Sequence, residues 1–308
     1  MKRKVLILFF NNPEKRNIFF DNMNLKNDVQ AACVLKNVSA PFRILRRIHF
    51  ISGFPGIQIW FTHWHKKIFD YSLIICIATK YSHRTLKWIA KRTQSRQIHY
   101  FWDEIHISRY PVKKENAYEN WSFCYNNSLE YKMKYNPQFW ISTINLKSDR
   151  TEYDVSYVGG DRNGKYKERT KMVNQIFLKL TKENIKCFFW YISDSDKVDS
   201  RIKKDRELQQ KDFLEIIKKS KVIIELVEND IQWITQRTLY ALSNEKKLIT
   251  NNLDILHEPL YCKENIFILG YDKMTNLVDF IKSPYVKMDN NILQYYEMDQ
   301  WMERFLDG

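Results

Sequence analysis

The amino-acid sequence predicts an α/β chain that folds as two consecutive doubly wound parallel sheets. Short continuous apolar runs, of the kind carried by strands covered on both faces, alternate with amphipathic helical stretches. That rhythm breaks over a polar, aperiodic stretch at 142–151 and then restarts. The length of 308 residues suits two domains of ordinary size, each with its own core.

In the first half, residues 5–10 and 73–78 are apolar runs that predict parallel strands. Residues 81–91 have helical spacing, 98–102 predict another strand, and 121–125 and 138–141 two more. The second half predicts strands at 153–158, 187–192, 222–227 and 247–250. Helices are predicted at 168–180, 209–218 and 235–242, and 292–306 reads as one closing amphipathic helix. The predicted domains are therefore 1–145 and 146–308, both Rossmann-like and facing a cleft. Open sheets of this type place ligands beyond the carboxyl ends of their strands, so functional residues are expected just after strands.

Composition narrows the setting. With 44% apolar and 28% charged residues the chain is globular rather than disordered. Five scattered cysteines without a CxxC pair point to a reducing, cytoplasmic compartment. Met1-Lys2-Arg3-Lys4 followed by an apolar run imitates a signal peptide, but six apolar residues are too few, and Asn11-Asn12-Pro13-Glu14 ends them. No apolar run approaches the roughly 20 residues of a membrane-crossing helix, which leaves peripheral contact with a membrane. The formal charge of +14 is segregated, +15 on residues 1–150 and −1 on 151–308, so the first half is expected to face something anionic.

The densest local signal is Val158-Gly159-Gly160-Asp161-Arg162-Asn163-Gly164-Lys165, in which three of the seven glycines fall within six residues between a strand and a helix. Glycines there let backbone N–H groups approach a phosphate, and Arg162, Lys165 and Arg169 could neutralise it. The spacing is neither GxGxxG nor a P-loop. A hairpin-like turn with solvated charges is the structural alternative. A second cluster follows the strand at 222–227: Gln232, Thr235, Arg237 and Thr238 gather at a strand-to-helix junction, where hydroxyls and a guanidinium suit a diphosphate. Alternatively Thr235 only caps the helix and Arg237 pairs with Glu225 or Glu228. Asp103, Glu104 and His106 follow the strand at 98–102 and are the best-placed candidates for a general base; capping or pairing with Lys80, Arg84 or Arg109 is the structural alternative. Asp194-Ser195-Asp196 has a DxD spacing but sits in a charge-rich stretch and reads as a solvated loop. His63-Trp64-His65 lacks further ligands for zinc, so metal independence is expected. Residues 42–69 interleave Arg43, Arg46, Arg47, Lys66 and Lys67 with Phe50, Phe54, Trp60, Phe61 and Trp64, a pattern of either a membrane-facing surface or a helix with a buried aromatic face.

Taken together, Phe101-Trp102-Asp103, Tyr135-Asn136-Pro137-Gln138-Phe139, Tyr153-Asp154-Val155-Ser156-Tyr157-Val158-Gly159-Gly160-Asp161, and Gln232, Thr235, Arg237 and Lys247-Leu248-Ile249-Thr250-Asn251-Asn252 within 226–252 resemble the bacterial lipopolysaccharide core glycosyltransferases, nearest to the enterobacterial core rhamnosyltransferases. The resemblance implies a GT-B fold and a nucleotide-sugar donor held by the second domain. It implies inverting transfer of L-rhamnose from dTDP-L-rhamnose to an inner-core Kdo residue at the cytoplasmic face of the inner membrane. In this reading Asp103, with Glu104 or His106 in reserve, is the base, and Gly159, Gly160, Arg162, Lys165, Arg169, Gln232, Thr235, Arg237 and Thr238 hold the donor, with no metal or other cofactor. Where many GT-B enzymes carry a helix carboxylate that grips the ribose, this chain has Tyr240, which accords with a deoxyribose donor. A Kdo or heptose transferase would share most of these features. A nucleic-acid-binding protein is the rival from another class; the sequence has no helix-turn-helix, zinc-finger or RNP signature, so no nucleic-acid partner is expected.

Overall fold

A computed structural model describes residues 4–10, 18–26, 28–103, 105, 112–113, 115–161, 164, 166–228 and 233–307. The chain divides into two compact units, Met1–Ile144 with Trp301–Gly308, and Asn145–Gln300.

The first unit is built on strands β1 (Val5–Phe9), β2 (Val29–Cys33), β3 (Leu73–Ile77), β4 (Arg96–Phe101), β5 (Glu119–Ser122) and β6 (Lys134–Tyr135). All neighbours are parallel, in the order β2-β1-β3-β4-β5-β6. Helices α1 (Ile18–Met23), α2 (Ala40–Ser52), α3 (Ser82–Ala90) and α4 (Tyr125–Glu130) accompany them. The apolar runs of β1 and β3 are buried because helices cover a parallel sheet on both faces. Residues 138–141 form no strand. Pro137 supplies no backbone donor, and Phe139 and Ile141 are buried as packing residues instead.

The second unit holds β7 (Tyr153–Gly160), β8 (Cys187–Ile192), β9 (Lys203–Lys204), β10 (Ser220–Glu225), β11 (Lys247–Thr250) and β12 (Ile266–Ile268), again all parallel, in the order β12-β11-β10-β7-β8-β9. Its helices are α5 (Lys167–Lys182), α6 (Gln210–Lys218), α7 (Gln236–Ser243), α8 (Leu277–Lys282) and α9 (Asn290–Tyr295), with α10 (Met298–Asp307) closing the chain. The chain lays β7, β8 and β9 outward in one direction. It then returns to pair β10 with β7 on the other side and continues to β11 and β12. Both expected doubly wound sheets are thus present.

The closing segment is built differently from one continuous helix. Residues 292–306 are not one helix, because the chain breaks between α9 and α10, where the Glu297 carboxylate accepts the Asp299 N–H at 2.7 Å and caps the second segment. Residues 301–308, expected in the second domain, belong to the first unit. Trp301 and Phe305 are fully buried there, Trp301 4.2 Å from Phe139 and 5.2 Å from Tyr100 between ring centroids, Phe305 4.8 Å from Trp121. Asn136 donates to the Trp301 carbonyl at 2.9 Å and accepts from Arg304 Nε at 2.7 Å, while the Tyr100 hydroxyl donates to the Asn136 carbonyl at 2.9 Å. The Tyr135–Phe139 motif is therefore the seat of α10.

Candidate functional site

The sheet of the second unit reverses direction between β7 and β10. At such a point the loops leaving adjacent strands diverge to opposite faces and open a crevice at their carboxyl ends. Gly159 and Gly160 lie there, but as the last two residues of β7 rather than in a turn. A Cβ on Gly160 would stand 2.9 Å from the Ile192 carbonyl oxygen of β8, and one on Gly159 would run into the Tyr157 ring. Close packing of β7 on β8 therefore demands glycine at 160, while at 159 it is the Tyr157 side chain of the same strand that occupies the space. The turn glycine is Gly164, whose φ of +77° is left-handed backbone. Asp161 begins the loop and is buried; it accepts the Gly164 N–H at 3.1 Å on Oδ1 and the Ser193 hydroxyl on Oδ2. One carboxylate so joins the ends of β7 and β8.

A second buried carboxylate organises the other side. Glu225 ends β10 inside the apolar run Val222–Leu226 and is 2% exposed. It accepts from three hydroxyls: Thr235; Thr238, at 3.0 and 3.1 Å to its two oxygens; and Thr250, at 3.0 Å. Thr235 also caps α7, accepting the Arg237 N–H at 3.1 Å. Ser or Thr at these positions is what lets a carboxylate sit buried without a cation, since each hydroxyl proton replaces a water. Thr238 is wholly buried, so it braces the junction of β10, β11 and α7.

Two cations converge on this edge. Arg169 of α5 meets Glu228 at 3.0 Å, donates to the Gly160 carbonyl at 3.2 Å and lies 4.4 Å from the Tyr166 ring centroid. Arg237 lies over the Phe213 ring at 5.5 Å and, among the described residues, pairs with neither Glu225 nor Glu228. Burial pushes the Tyr157 hydroxyl pKa well up, against the opposing charges of Arg237 and Arg169, and the nearby Tyr191 and Glu228 add to the rise. Arg169 reaches the end of β7 directly through its bond to the Gly160 carbonyl, and Arg237 stands in the first turn of α7, whose cap Thr235 is bound to Glu225 at the end of β10. Asp161, Ser193, Glu225 and Glu228 were not singled out from sequence as site residues. The available signal was a glutamate inside an apolar run, followed by two threonines at the start of the next helix and one at the end of the next strand.

Glu104, His106, Arg162, Lys165 and Gln232 lie outside the described residues. Asp103 is exposed just beyond β4, beside Trp102, whose ring packs 5.2 Å from Phe139 and 5.8 Å from Phe9. Asp194 and Asp196 are exposed, and Asp196 stands 3.6 Å from Lys203. Among the described residues no group of three His, Cys, Asp or Glu is arranged around a common point for a metal. The aromatic stretch at 42–69 divides: Phe50, Phe61 and Trp64 are buried in the core of the first unit, and Trp60 donates to His49 at 3.0 Å, whereas Phe42, Phe54 and Phe69 are exposed. No described helix is long and apolar enough to cross a membrane.

No protein-family model matches the chain, and no curated protein matches it. Solved structures match over its whole length. Sucrose-phosphate synthase from Thermosynechococcus elongatus is similar with a TM-score of 0.58 and 8% identity over 99% of this chain and 98% of that one. The β-glucosyltransferase of phage T4 is similar with a TM-score of 0.55 and 12% identity over 99% of each chain. A UDP-N-acetylglucosamine 2-epimerase homologue from Listeria monocytogenes follows at a TM-score of 0.51 and 8% identity, over 100% of this chain and 98% of that one. At such identities the likeness is one of fold, and the fold of this chain is the two-domain GT-B type, two Rossmann-like units in succession.

Proposed function

We propose that the protein is a nucleotide-sugar-dependent glycosyltransferase whose donor site is the carboxyl edge of β7 and β10. The observation that carries this reading is that Arg169, bound to the Gly160 carbonyl at the end of β7, and Arg237, in the first turn of the helix after β10, belong to the two strands between which the strand order reverses. A diphosphate leaving group gains negative charge as the glycosidic bond to phosphate breaks, and guanidinium groups there stabilise that charge. Arg237, without a carboxylate partner at Glu225 or Glu228, is the primary contact. Arg169 becomes available as Glu228 is displaced, and Gly159 and Gly160 let the phosphates approach the backbone. Thr235 and Thr238 act by holding the loop through Glu225. Arg162, Lys165 and Gln232 are assigned to the same site from their place in the sequence.

The finer reading follows the resemblance to lipopolysaccharide core rhamnosyltransferases. An acceptor hydroxyl of an inner-core Kdo attacks the anomeric carbon of dTDP-L-rhamnose, the bond from that carbon to the diphosphate breaks, dTDP departs, and the hydroxyl proton passes to Asp103, with Glu104 and His106 as alternates. The transfer inverts the anomeric centre and proceeds without a metal, on an anionic glycolipid at the cytoplasmic face of a membrane.

The test is a thermal-shift and turnover screen of the purified protein against dTDP-L-rhamnose, UDP-sugars, CMP-Kdo and ADP-heptose, with and without EDTA. Stabilisation by dTDP-L-rhamnose that survives EDTA supports the donor and the metal-free reaction. A response to CMP-Kdo or ADP-heptose instead would replace the donor, and silence with every nucleotide sugar would remove the donor site. Arg237→Ala is expected to raise donor KM or lower kcat while the melting temperature stays at the wild-type value.

A further inference from the structure

The first unit contains a cavity of about 690 Å³ between α3 and the loop that follows α2, lined by residues of that unit alone. Its lining includes Lys80, Arg84, Lys87, Lys91, Arg92 and Lys113, and no aspartate or glutamate. Part of this charge is used to build the walls. Arg84 donates to the carbonyls of Phe50 at 3.1 Å and Phe54 at 3.2 Å, and so holds the loop in which Gly53 and Gly56 take left-handed φ of +85° and +90°. Arg92 lies 4.1 Å over the Trp88 ring, and Lys87 pairs with Glu115 at 2.8 Å. Lys80, Lys91 and Lys113 form no ion pair with a carboxylate among the described residues, although Glu115, bound to Lys87, also feels the charge of Lys113. His83 and His99 add no charge at neutral pH: burial, before any other influence, lowers both, His99 to about 4.

The rim of this cavity is apolar on one side. Ile51 and Phe54 line it and are each more than two-thirds exposed. They continue a face of α2 on which Ile44 and Ile48 are also exposed, since Ile44, Ile48 and Ile51 fall at i, i+4 and i+7, one side of the helix. Between Asp28 and Asp70 the sequence contains no aspartate or glutamate, and six lysines and arginines. An exposed apolar helix face set among cations alone is complementary to an anionic bilayer interface.

We propose that this cavity binds the phosphomonoester headgroup of a membrane lipid, with Lys80, Lys91 and Lys113 on the phosphate and the exposed face of α2 seated in the adjoining lipid. A phosphomonoester carries about −1.5 to −2 charges at pH 7 and three acceptor oxygens. It suits three lysines better than a carboxylate or a phosphodiester does, and the volume leaves room for a sugar bearing it. The identification of this lipid as the sugar acceptor rests on the transfer reading; the binding itself does not.

Co-sedimentation of the full chain with phosphatidylcholine vesicles, alone or containing phosphatidylserine or phosphatidic acid, tests the proposal, alongside titration of soluble pyrophosphate followed by Trp88 fluorescence. The expected result is preference for phosphatidic acid over phosphatidylserine. Lys80→Ala/Lys91→Ala/Lys113→Ala should lose roughly fivefold in affinity per lysine, about a hundredfold in all. Ile48→Ser/Ile51→Ser should lose vesicle binding and keep pyrophosphate binding. Equal binding to the two anionic lipids, or an unaltered triple variant, overturns the phosphate assignment. Pyrophosphate binding with no vesicle binding overturns the lipid in favour of a soluble phosphate. A wild-type dimer that Ile48→Ser/Ile51→Ser converts to monomer assigns the apolar face to a second copy and overturns its role in lipid. The nucleotide-sugar screen run on the triple variant separates the two sites, since an unchanged donor response shows that only the cavity was altered.

Discussion

Replacing Thr238 by valine removes one oxygen and almost no volume, which makes it a clean probe of the Glu225 cluster. Thr238 is fully buried and spans both carboxylate oxygens at 3.0 and 3.1 Å. Its loss leaves Thr235 on one oxygen and Thr250 on the other, so Glu225 keeps two donors of three. A hydrogen bond to a charged group contributes about 1.5–3 kcal/mol, and no cavity term adds to it because the shape is conserved, so the expected destabilisation is about 2 kcal/mol. For a unit of this size that is a fall in melting temperature of roughly 4–8 °C. Scanning fluorimetry and urea titration measure it, with an unchanged dependence on denaturant. Thr250→Val should behave alike, and Thr238→Val combined with Glu225→Gln should be far from additive, since both act on one carboxylate. An unchanged melting temperature, or strict additivity with Glu225→Gln, would refute the view that a threonine-held carboxylate organises the site.

Gly160→Ala is expected to destabilise the protein by about 1–3 kcal/mol, because its new Cβ meets the Ile192 backbone oxygen, which cannot rotate away. A stable Gly160→Ala variant in a denaturant titration would return Gly160 to the status of a free turn residue. The stability of the first unit should fall on acidification. Burial holds His99 at about 4, against an ordinary 6.5, despite the opposing hydrogen bond to Asn120 and with help from the charge of His83. The unfolded chain therefore binds the proton first: the contribution of His99 is full above pH 6.5 and declines as pH drops from 6.5 toward 4, by up to about 3 kcal/mol. Urea titrations across that range check it, and an unaltered pH slope in His99→Gln would assign the loss to other groups.

Legibility followed burial. The strands 187–192 and 247–250 were predicted with the bounds they have, since Cys187–Ile192 is apolar or aromatic throughout and Lys247–Thr250 centres on the buried pair Leu248 and Ile249. Strand β2 is a sheet-edge strand with Gln30 at its second position, and β9 and β12 are edge strands of two and three residues, too short for any period to register. Residues 138–141 carry a strand's apolarity for another reason, the seat they form for Trp301. The break at Glu297 leaves the helical period of 292–306 undisturbed, because the cap is made by a side chain that a continuous helix also tolerates.

The site was legible as a place more than as a set of roles. Gly159 and Gly160 end β7, Arg169 donates to the Gly160 carbonyl, and Thr235 and Thr238, on either side of Arg237 at the start of α7, bind Glu225 at the end of β10. Sequence alone, however, treats a threonine near a helix start as a cap or a ligand, and cannot weigh a third use. That use follows from Glu225, whose position in an apolar run forces it inside the sheet, where it must find donors. Thr235, Thr238 and Thr250 are spent on Glu225 and Arg169 is held by Glu228, whereas Arg237 pairs with neither glutamate among the described residues. The buried carboxylates hold the threonines and leave Arg237 without Glu225 or Glu228 as a partner among the described residues, so substitutions in the threonine cluster should show first in stability and, on the proposed function, substitution of Arg237 first in donor kinetics.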